Sequence, residues 1–368
     1  MRVLVTGING FIGKNLAARL SEGGEHAVVG FARSDGDDSL PAKIVAADAI
    51  VHLAGVNRPK DMADFHQGNA LLTEFLCKAA RDSGRKIPLI LASSIQAAQE
   101  NAYGESKRHA ELVVERYSSE TGSPAIIYRL PNVFGKWCRP SYNSVVATFA
   151  HNIANDLPIQ INDPATELNL VYIDDVMDEF LRALASPNQG LSRGDVRPQY
   201  CVTLGDLAAR LTEFKECRNT LILDRVGTGI ERALYATYVS YLPSSRFAYD
   251  VPQYVDARGS FVEMLKTRDS GQFSYFTAHP GVTRGGHYHH TKTEKFLVIK
   301  GSALFGFRHL ISGERFSLET TGDKPQIVET IPGWTHDITN VGKEEMVVML
   351  WANEIFDRSR PDTIACKV

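Results

Sequence analysis

The chain has 368 residues, of which 43% are hydrophobic, 23% charged and 9% aromatic, so it can bury the cores of two domains, and a small module or wholesale disorder is excluded. Its 40 basic and 43 acidic residues leave a net charge of −3 without a Lys/Arg block, and no apolar run reaches the roughly 18 residues of a membrane span. Neither a nucleic-acid nor a membrane partner is expected, and the reading is cytoplasmic; Cys77, Cys138, Cys201, Cys217 and Cys366 form no C-x-x-C pair, against a disulfide framework or thiolate zinc site.

In chain order, residues 1–7 read as a short buried strand, and 15–21 as an apolar-periodic helix after a glycine-rich turn. Strand-like runs follow at 27–31, 49–53, 88–92 and 125–130, interleaved with helix-like stretches at 68–82 and 105–119. Such alternation predicts a parallel, doubly wound α/β sheet. The chain from about 137 to 243 is mixed and weakly patterned. After Pro243-Ser244-Ser245 come many short strand-like runs punctuated by Gly, Asp and Pro, which predicts an all-β domain. The expected division is 1–243 and 244–368.

Val5-Thr6-Gly7-Ile8-Asn9-Gly10-Phe11-Ile12-Gly13 places three glycines between the first strand and its helix. A dinucleotide pyrophosphate needs bare backbone N–H groups at a helix N-terminus, and this Rossmann-type spacing supplies them. The glycine spacing is a weak motif alone; the flanking strand and helix strengthen it. At the end of the second strand, where an NAD site usually carries a carboxylate for the ribose 2′-hydroxyl, stand Arg33 and Ser34. NADPH is therefore the expected cofactor, with a merely solvated Arg33 as the bland alternative. Tyr103 and Lys107 are four apart on one helix face, where an ammonium is expected to lower the phenol pKa. Ser93 and Ser94 follow an apolar strand, at the carboxyl end where open α/β sheets bind ligands.

These residues resemble the extended short-chain dehydrogenase/reductase family over about residues 1–240. The resemblance implies a catalytic set of Ser94, Tyr103 and Lys107. It implies cofactor contacts from Gly7, Gly10, Phe11, Ile12, Gly13, Arg33, Lys107 and the His52-Leu53-Ala54-Gly55 motif. Arg129-Leu130-Pro131-Asn132-Val133-Phe134-Gly135 is similar to the segment leading into the family's sugar-nucleotide pocket. Two departures stand out. An Asp-rich stretch, 35–48, replaces the usual further strand and helix, and Leu168 stands where the family often has a phosphate-binding arginine, leaving Arg139 or Arg129 as substitutes beside Asn132.

In the β domain, His287 and His289 are two apart on a strand and share a face; Glu294 follows on the next strand, and Pro332-Gly333-Trp334-Thr335-His336 supplies a third histidine. Three imidazoles and one carboxylate suit a divalent metal, zinc foremost. A set of satisfied core histidines is the alternative, and His290, outside the alternation, reads as a support for the ligands or as exposed. Both motifs resemble the cupin superfamily of jelly-roll barrels. Asp256-x-Arg258-Gly259-Ser260-Phe261 and Arg284-Gly285-Gly286-His287-Tyr288 are also similar to deoxysugar-nucleotide 3,5-epimerases, which implies a phosphate contact for Arg284 and a proton-abstracting role for His287. A metal-bound histidine cannot also be the base. The base is therefore His287 without metal, or another group with it: Lys292, Lys295, His290 or Tyr288.

A C4 ketone acidifies the C3 proton and also accepts hydride, so one sugar can serve both halves of the chain. The fusion resembles the CapF-type bifunctional enzymes of capsule and O-antigen biosynthesis. That resemblance implies C3 epimerisation of a UDP-2-acetamido-2,6-dideoxy-4-hexulose in the cupin, NADPH reduction at C4 to a UDP-N-acetyl-6-deoxy-L-talosamine-type sugar, and a homodimer. Two alternatives stay open. One is an epimerase or dehydratase that recycles tightly held NADP, separable by cofactor turnover; the other is a non-catalytic sugar-nucleotide sensor, which has no need of the Ser94, Tyr103 and Lys107 set.

Overall fold

The structure is a computed structural model that describes residues 1–368 except 60, 224, 257–258, 263, 268–270 and 355–358. Arg258 of the epimerase-like motif therefore lies outside the described residues. Contacts divide the chain into two units, Met1–Ser144 with Leu168–Val202, and Val145–Glu167 with Thr203–Val368.

The first unit is built on β1 (Arg2–Thr6), followed by α1 (Phe11–Glu22), β2 (Ala27–Phe31), α2 (Leu40–Ala46) and β3 (Ala49–His52). A short α3 (Ala63–Phe65) runs through a π-helical segment, His66–Leu71, into α4 (Leu72–Asp82). Then come β4 (Leu89–Ser94), α5 (Ala102–Thr121), β5 (Ala125–Leu130) and β6 (Asn132–Phe134). After α6 (Val145–Ala154), which belongs to the second unit, follow β7 (Glu167–Tyr172), α7 (Ile173–Ala185), β8 (Leu191–Gly194) and β9 (Gln199–Thr203). The main sheet runs β2-β1-β3-β4-β5-β8, all pairs parallel. Val3, Leu4, Val5, Ile50 and Val51 are wholly buried, as strands covered by helices on both faces must be. The helix expected at 15–21 starts earlier, at Phe11, because Gly10 is its N-cap and the glycine turn opens directly into it. Between β2 and β3 there is only a pair of 3-10 turns and α2, the abbreviated stretch foreseen at 35–48.

Among its described residues, the weakly patterned 137–243 stretch contains four helices: α6, α7, α8 (Leu204–Thr220) and α9 (Gly229–Val239). Buried Leu207, Leu211, Phe214 and Cys217 repeat at helical spacing along α8, a period that is present in the sequence.

The second unit carries two five-stranded sheets of a jelly roll. One orders 248–250, 326–329, 294–300, 346–352 and 272–278; the other orders 315–321, 302–309, 334–340, 283–288 and 364–365. Strand alternation sends Glu294 and Lys295 to opposite faces. Lys295 and Glu329 are buried; the Lys295 ammonium meets Glu329 and the Tyr249 hydroxyl (3.2 Å), while Arg218 of α8 also pairs with Glu329. Burial alone would lower the Lys295 pKa; Glu329 outweighs it and holds the ammonium well above its ordinary value. Removing Lys295 leaves the buried Glu329 carboxylate to Arg218 and breaks one of its two buried ion pairs. Lys295→Met should lower stability by about 3 kcal/mol, read as the denaturant midpoint, and an unchanged midpoint would contradict the buried pairing.

Candidate active sites

At the carboxyl end of β1 the glycine turn forms one wall of a cavity of ≈ 490 Å³, with Gly7, Asn9, Gly10, Phe31, Ala32, Arg33, Ser34, Leu53, Ala54, Gly55, Val56, Gly68 and Leu72 around it. A Cβ on Gly13 would stand 2.3 Å from the Gly7 carbonyl oxygen, so the helix start can approach the turn only without a side chain. Such a cradle, open to backbone and closed to side chains, fits a dinucleotide. Of the expected cofactor residues, Gly7, Gly10, Arg33, Leu53, Ala54 and Gly55 line it; Phe11 and Ile12 lie in the first turn of α1.

Beneath Leu53 and Ala54 lies a hydrogen-bonded chain that sequence reasoning missed. Thr6 Oγ1 accepts from both backbone N–H groups (3.1 Å each), so its own proton goes to His52 Nδ1, 2.7 Å away. Thr73 donates to the Asn69 carbonyl (2.6 Å), leaving its oxygen to accept from His52 Nε2 (2.9 Å). Burial, with the Lys107 charge nearby, brings the His52 pKa down to about 3, so the imidazole is a neutral connector. Asn69, in the π-helical segment, fixes Val56 through both its N–H (2.8 Å) and C=O (3.0 Å), and donates to Ser106 (2.9 Å). π-Helical turns often mark such sites.

Tyr103 and Lys107 lie one turn apart on α5, whose N-cap Asn101 accepts from Gly104 N at 2.8 Å. A Cβ on Gly104 would stand 2.3 Å from the Gln96 carbonyl. That glycine lets the helix close on the loop after β4, where Ser94 stands near enough to Tyr103 to act on its phenol. The expected lowering of the phenol pKa is corrected: burial raises it, Ser94 offsets only part, and Lys107 donates instead to the Ala92 carbonyl at 2.9 Å. Burial, partly offset by Glu111, brings Lys107 down to about 8. The phenol is thus a protonated donor, suited to quenching an oxyanion.

The arginines differ in their commitments. Arg129 holds buried Glu111 in two places, Nε at 2.9 Å and Nη2 at 2.6 Å, and Ser93 donates to the same carboxylate at 2.5 Å. Asn132 donates to the Asn169 carbonyl at 3.2 Å. Arg139 lies over the Tyr142 ring, 5.4 Å from its centroid.

In the barrel, His287 and His336 are direct cross-strand partners, and the ligand atoms of His287, His289, Glu294 and His336 all lie within 4.8 Å of one another. Glu294 Oε2 is 3.1 Å from His289 Nε2 and 3.5 Å from His336 Nε2. His289 Nδ1 bonds to the Asp362 carbonyl, which turns Nε2 toward the cluster, as backbone partners of metal-binding histidines do. Burial first, then His336 and His289, lowers His287 to about 4. Burial would raise Glu294; His289, His336 and Lys292 hold it well below its ordinary value. His336 Nδ1 is buried without a hydrogen-bond partner. A deprotonated carboxylate and converging imidazoles fit a divalent cation.

Among the four alternative bases, Tyr288 and His290 meet edge to face at 5.5 Å, one residue out of phase with His287 and His289. His290 is buried, which removes its exposed alternative. Lys295 is corrected out of the site, being paired with Glu329 on the other face. Lys292 alone of the four has its charge at the cluster, Nζ 3.0 Å from Glu294 Oε1. Asp362, which no sequence signal flagged, accepts from the backbone N–H of His290, Thr291 and Lys292 (2.9, 2.7 and 2.8 Å) and so shapes the ligand loop. Arg284 lies with its guanidinium over Phe276 at 5.0 Å.

No helix among the described residues is long and apolar enough to cross a membrane. The profile of the NAD dependent epimerase/dehydratase family matches residues 3–197, and that of the polysaccharide biosynthesis C-terminal domain residues 254–364. UDP-2-acetamido-2,6-beta-L-arabino-hexul-4-ose reductase from Pseudomonas aeruginosa is 57% identical over 368 residues, 100% of this chain and 99% of that protein. Among solved structures, the capsular polysaccharide assembling protein CapF from Staphylococcus aureus is 41% identical with a TM-score of 0.68, covering 100% of both chains. CapF with the inhibitor 3-isopropenyl-tropolone is 38% identical with a TM-score of 0.63, again over 100% of both chains. UDP-glucuronic acid 4-epimerase from Bacillus cereus in complex with NAD, at 20% identity and a TM-score of 0.52 over 58% of this chain and 83% of that one, shares the fold.

Proposed function

The chain belongs to the NAD dependent epimerase/dehydratase family, and on that premise we propose that it is a bifunctional enzyme of capsule or O-antigen precursor synthesis. Residues 244–368 invert C3 of a UDP-2-acetamido-2,6-dideoxy-4-hexulose, and residues 1–243 reduce its C4 ketone to a UDP-N-acetyl-6-deoxy-L-talosamine-type sugar. The observation that carries this reading is the buried, protonated Tyr103, with Ser94 acting on it, in the unit that holds a glycine-lined dinucleotide cradle. The reductase activity in the name of the 57% identical relative supports it.

The glycine turn, Arg33 and the Leu53-Ala54-Gly55 loop would hold NADPH, which when bound supplies the hydride for C4. Tyr103 gives its proton to the C4 oxygen as negative charge develops there, Ser94 holds the phenol in line, and the Lys107 ammonium adds positive potential beneath them. In the barrel His287, His289, Glu294 and His336 would hold a divalent metal, zinc foremost, which supplies Lewis acidity or a strand staple. Lys292 brings positive charge to the same cluster, the sign that an enolate oxygen requires. The helices at 203–239 then buttress the barrel. A nucleotide-activated substrate and NADPH place the work in the cytoplasm, and exposed Phe273, Tyr275 and Met349 on neighbouring strands suit a homodimer.

The test is incubation with a UDP-4-keto-6-deoxy-N-acetylhexosamine in deuterated water, with and without NADPH. Deuterium at C3 without NADPH, and a reduced C4 with it, is the expected result; net turnover without NADPH consumption would overturn the reductase reading.

Cofactor choice follows from the end of β2. Its nearby carboxylate, Asp35, accepts from Lys43 (2.7 Å) and from Ala32 N (3.2 Å), while Arg33 stands exposed at the cavity. Arg33→Ala should raise the KM for NADPH about tenfold and leave that for NADH nearly unchanged; initial rates with both cofactors decide it.

A further inference from the structure

We propose that Arg58 and Arg139, whose guanidiniums both lie over the Tyr142 ring, clamp the diphosphate of the nucleotide sugar. This inference rests on the sugar-nucleotide reading and adds Arg58 and Tyr142 to its site. Arg58 lies in the loop that leaves β3 by way of the cavity-lining Leu53 to Val56, whereas Arg139 and Tyr142 lie in the loop that leaves β6. The Arg58 and Arg139 guanidinium carbons are 5.9 and 5.4 Å from the centre of the Tyr142 ring. In the sheet β4 stands between β3 and β5, so loops from its two sides meet at the end that carries Ser94.

The charges are uncommitted. Arg129 is spent on Glu111 and Arg193 on Glu115, but neither Arg58 nor Arg139 has an ion-pair partner among the described residues. Two like charges gathered on one aromatic ring repel each other until an anion joins them; the ring face relieves only part of that repulsion. A diphosphate matches both the charge and the planar donor forks. Trp137 and Ser141, non-glycine residues with φ of 67° and 53°, bracket Arg139, and strain of this kind persists where surrounding structure fixes a functional loop.

Calorimetric titration of the full chain with UDP, uridine and NADPH tests the clamp. UDP should bind wild type more tightly than uridine. Arg58→Ala and Arg139→Ala should each weaken UDP about tenfold, leave uridine and NADPH within about twofold, and be partly rescued by lysine. Tyr142→Phe, which keeps the ring, should bind UDP like wild type. UDP affinity unchanged in both alanine variants overturns the clamp and leaves the sugar-nucleotide reading standing. Loss of NADPH rather than UDP affinity assigns the guanidiniums to the cofactor's pyrophosphate and also overturns it. A wild type that binds no UDP removes the clamp and the reading together.

Discussion

Tyr103→Phe is expected to cut NADPH oxidation by about a thousandfold while deuterium still enters C3 at the wild-type rate. The phenol has what a proton donor to the C4 oxygen needs, since burial keeps it neutral and Ser94 offsets only part of that shift. Phenylalanine keeps the ring contact with Phe65, whose centroid is 5.4 Å away, so packing survives and only the proton is lost. On the proposed division of labour, epimerisation needs no nicotinamide and would use residues of the other unit, which is why the two readouts should separate. The reductase pH profile follows from Lys107. Its pKa is lowered to about 8, so the ammonium is charged below that pH and neutral above it; kcat/KM should fall as pH rises through about 8. The raised Tyr103 pKa adds no second limb in that range. Near-normal oxidation by the phenylalanine variant, or a flat profile from pH 7 to 9, would contradict these roles.

What the sequence discloses depends on how local the cause is. The strands at 27–31 and 125–130 coincide with β2 and β5, because short apolar runs between turn residues carry their own signal. The glycine turn, the Tyr103 and Lys107 spacing, and the ligands His287, His289 and Glu294 are equally local, since each depends on a period or a turn within a dozen residues, and His336 is marked by its own turn. Asn69 and Asp362 are different. Asn69 is defined by what it holds at Val56 and Ser106, and Asp362 by the backbone of a loop some seventy residues earlier; neither contact leaves a trace in spacing. The expected lowering of the phenol pKa fails for a related reason. Helical spacing gives the distance to the ammonium but not the burial, and here burial dominates. Lys295 fails as a base on strand parity, which becomes decisive only once Glu294 is known to face inward.

Chelation of the full chain should abolish C3 exchange, by at least about a hundredfold, while NADPH binding in the other unit stays intact. His287, His289, Glu294 and His336 converge within 4.8 Å, and Glu294 is buried with its charge. His289, His336 and Lys292 stabilise that charge, and a divalent cation would complete the balance. Binding of that cation to the folded state alone stabilises it by about 4 kcal/mol at a thousandfold excess over Kd, so the chelated protein should also melt earlier. His336→Ala should lose the metal and the exchange together, and elemental analysis gives the occupancy. The outcomes separate the possible roles of the site. Loss of exchange in a still-folded, metal-free protein assigns the metal to the C4 oxygen as a Lewis acid. Retained exchange with a lowered melting temperature makes it a staple between strands. An active protein that never held metal returns His287, whose pKa is lowered to about 4 and whose imidazole is therefore unprotonated near neutrality, to the role of free base.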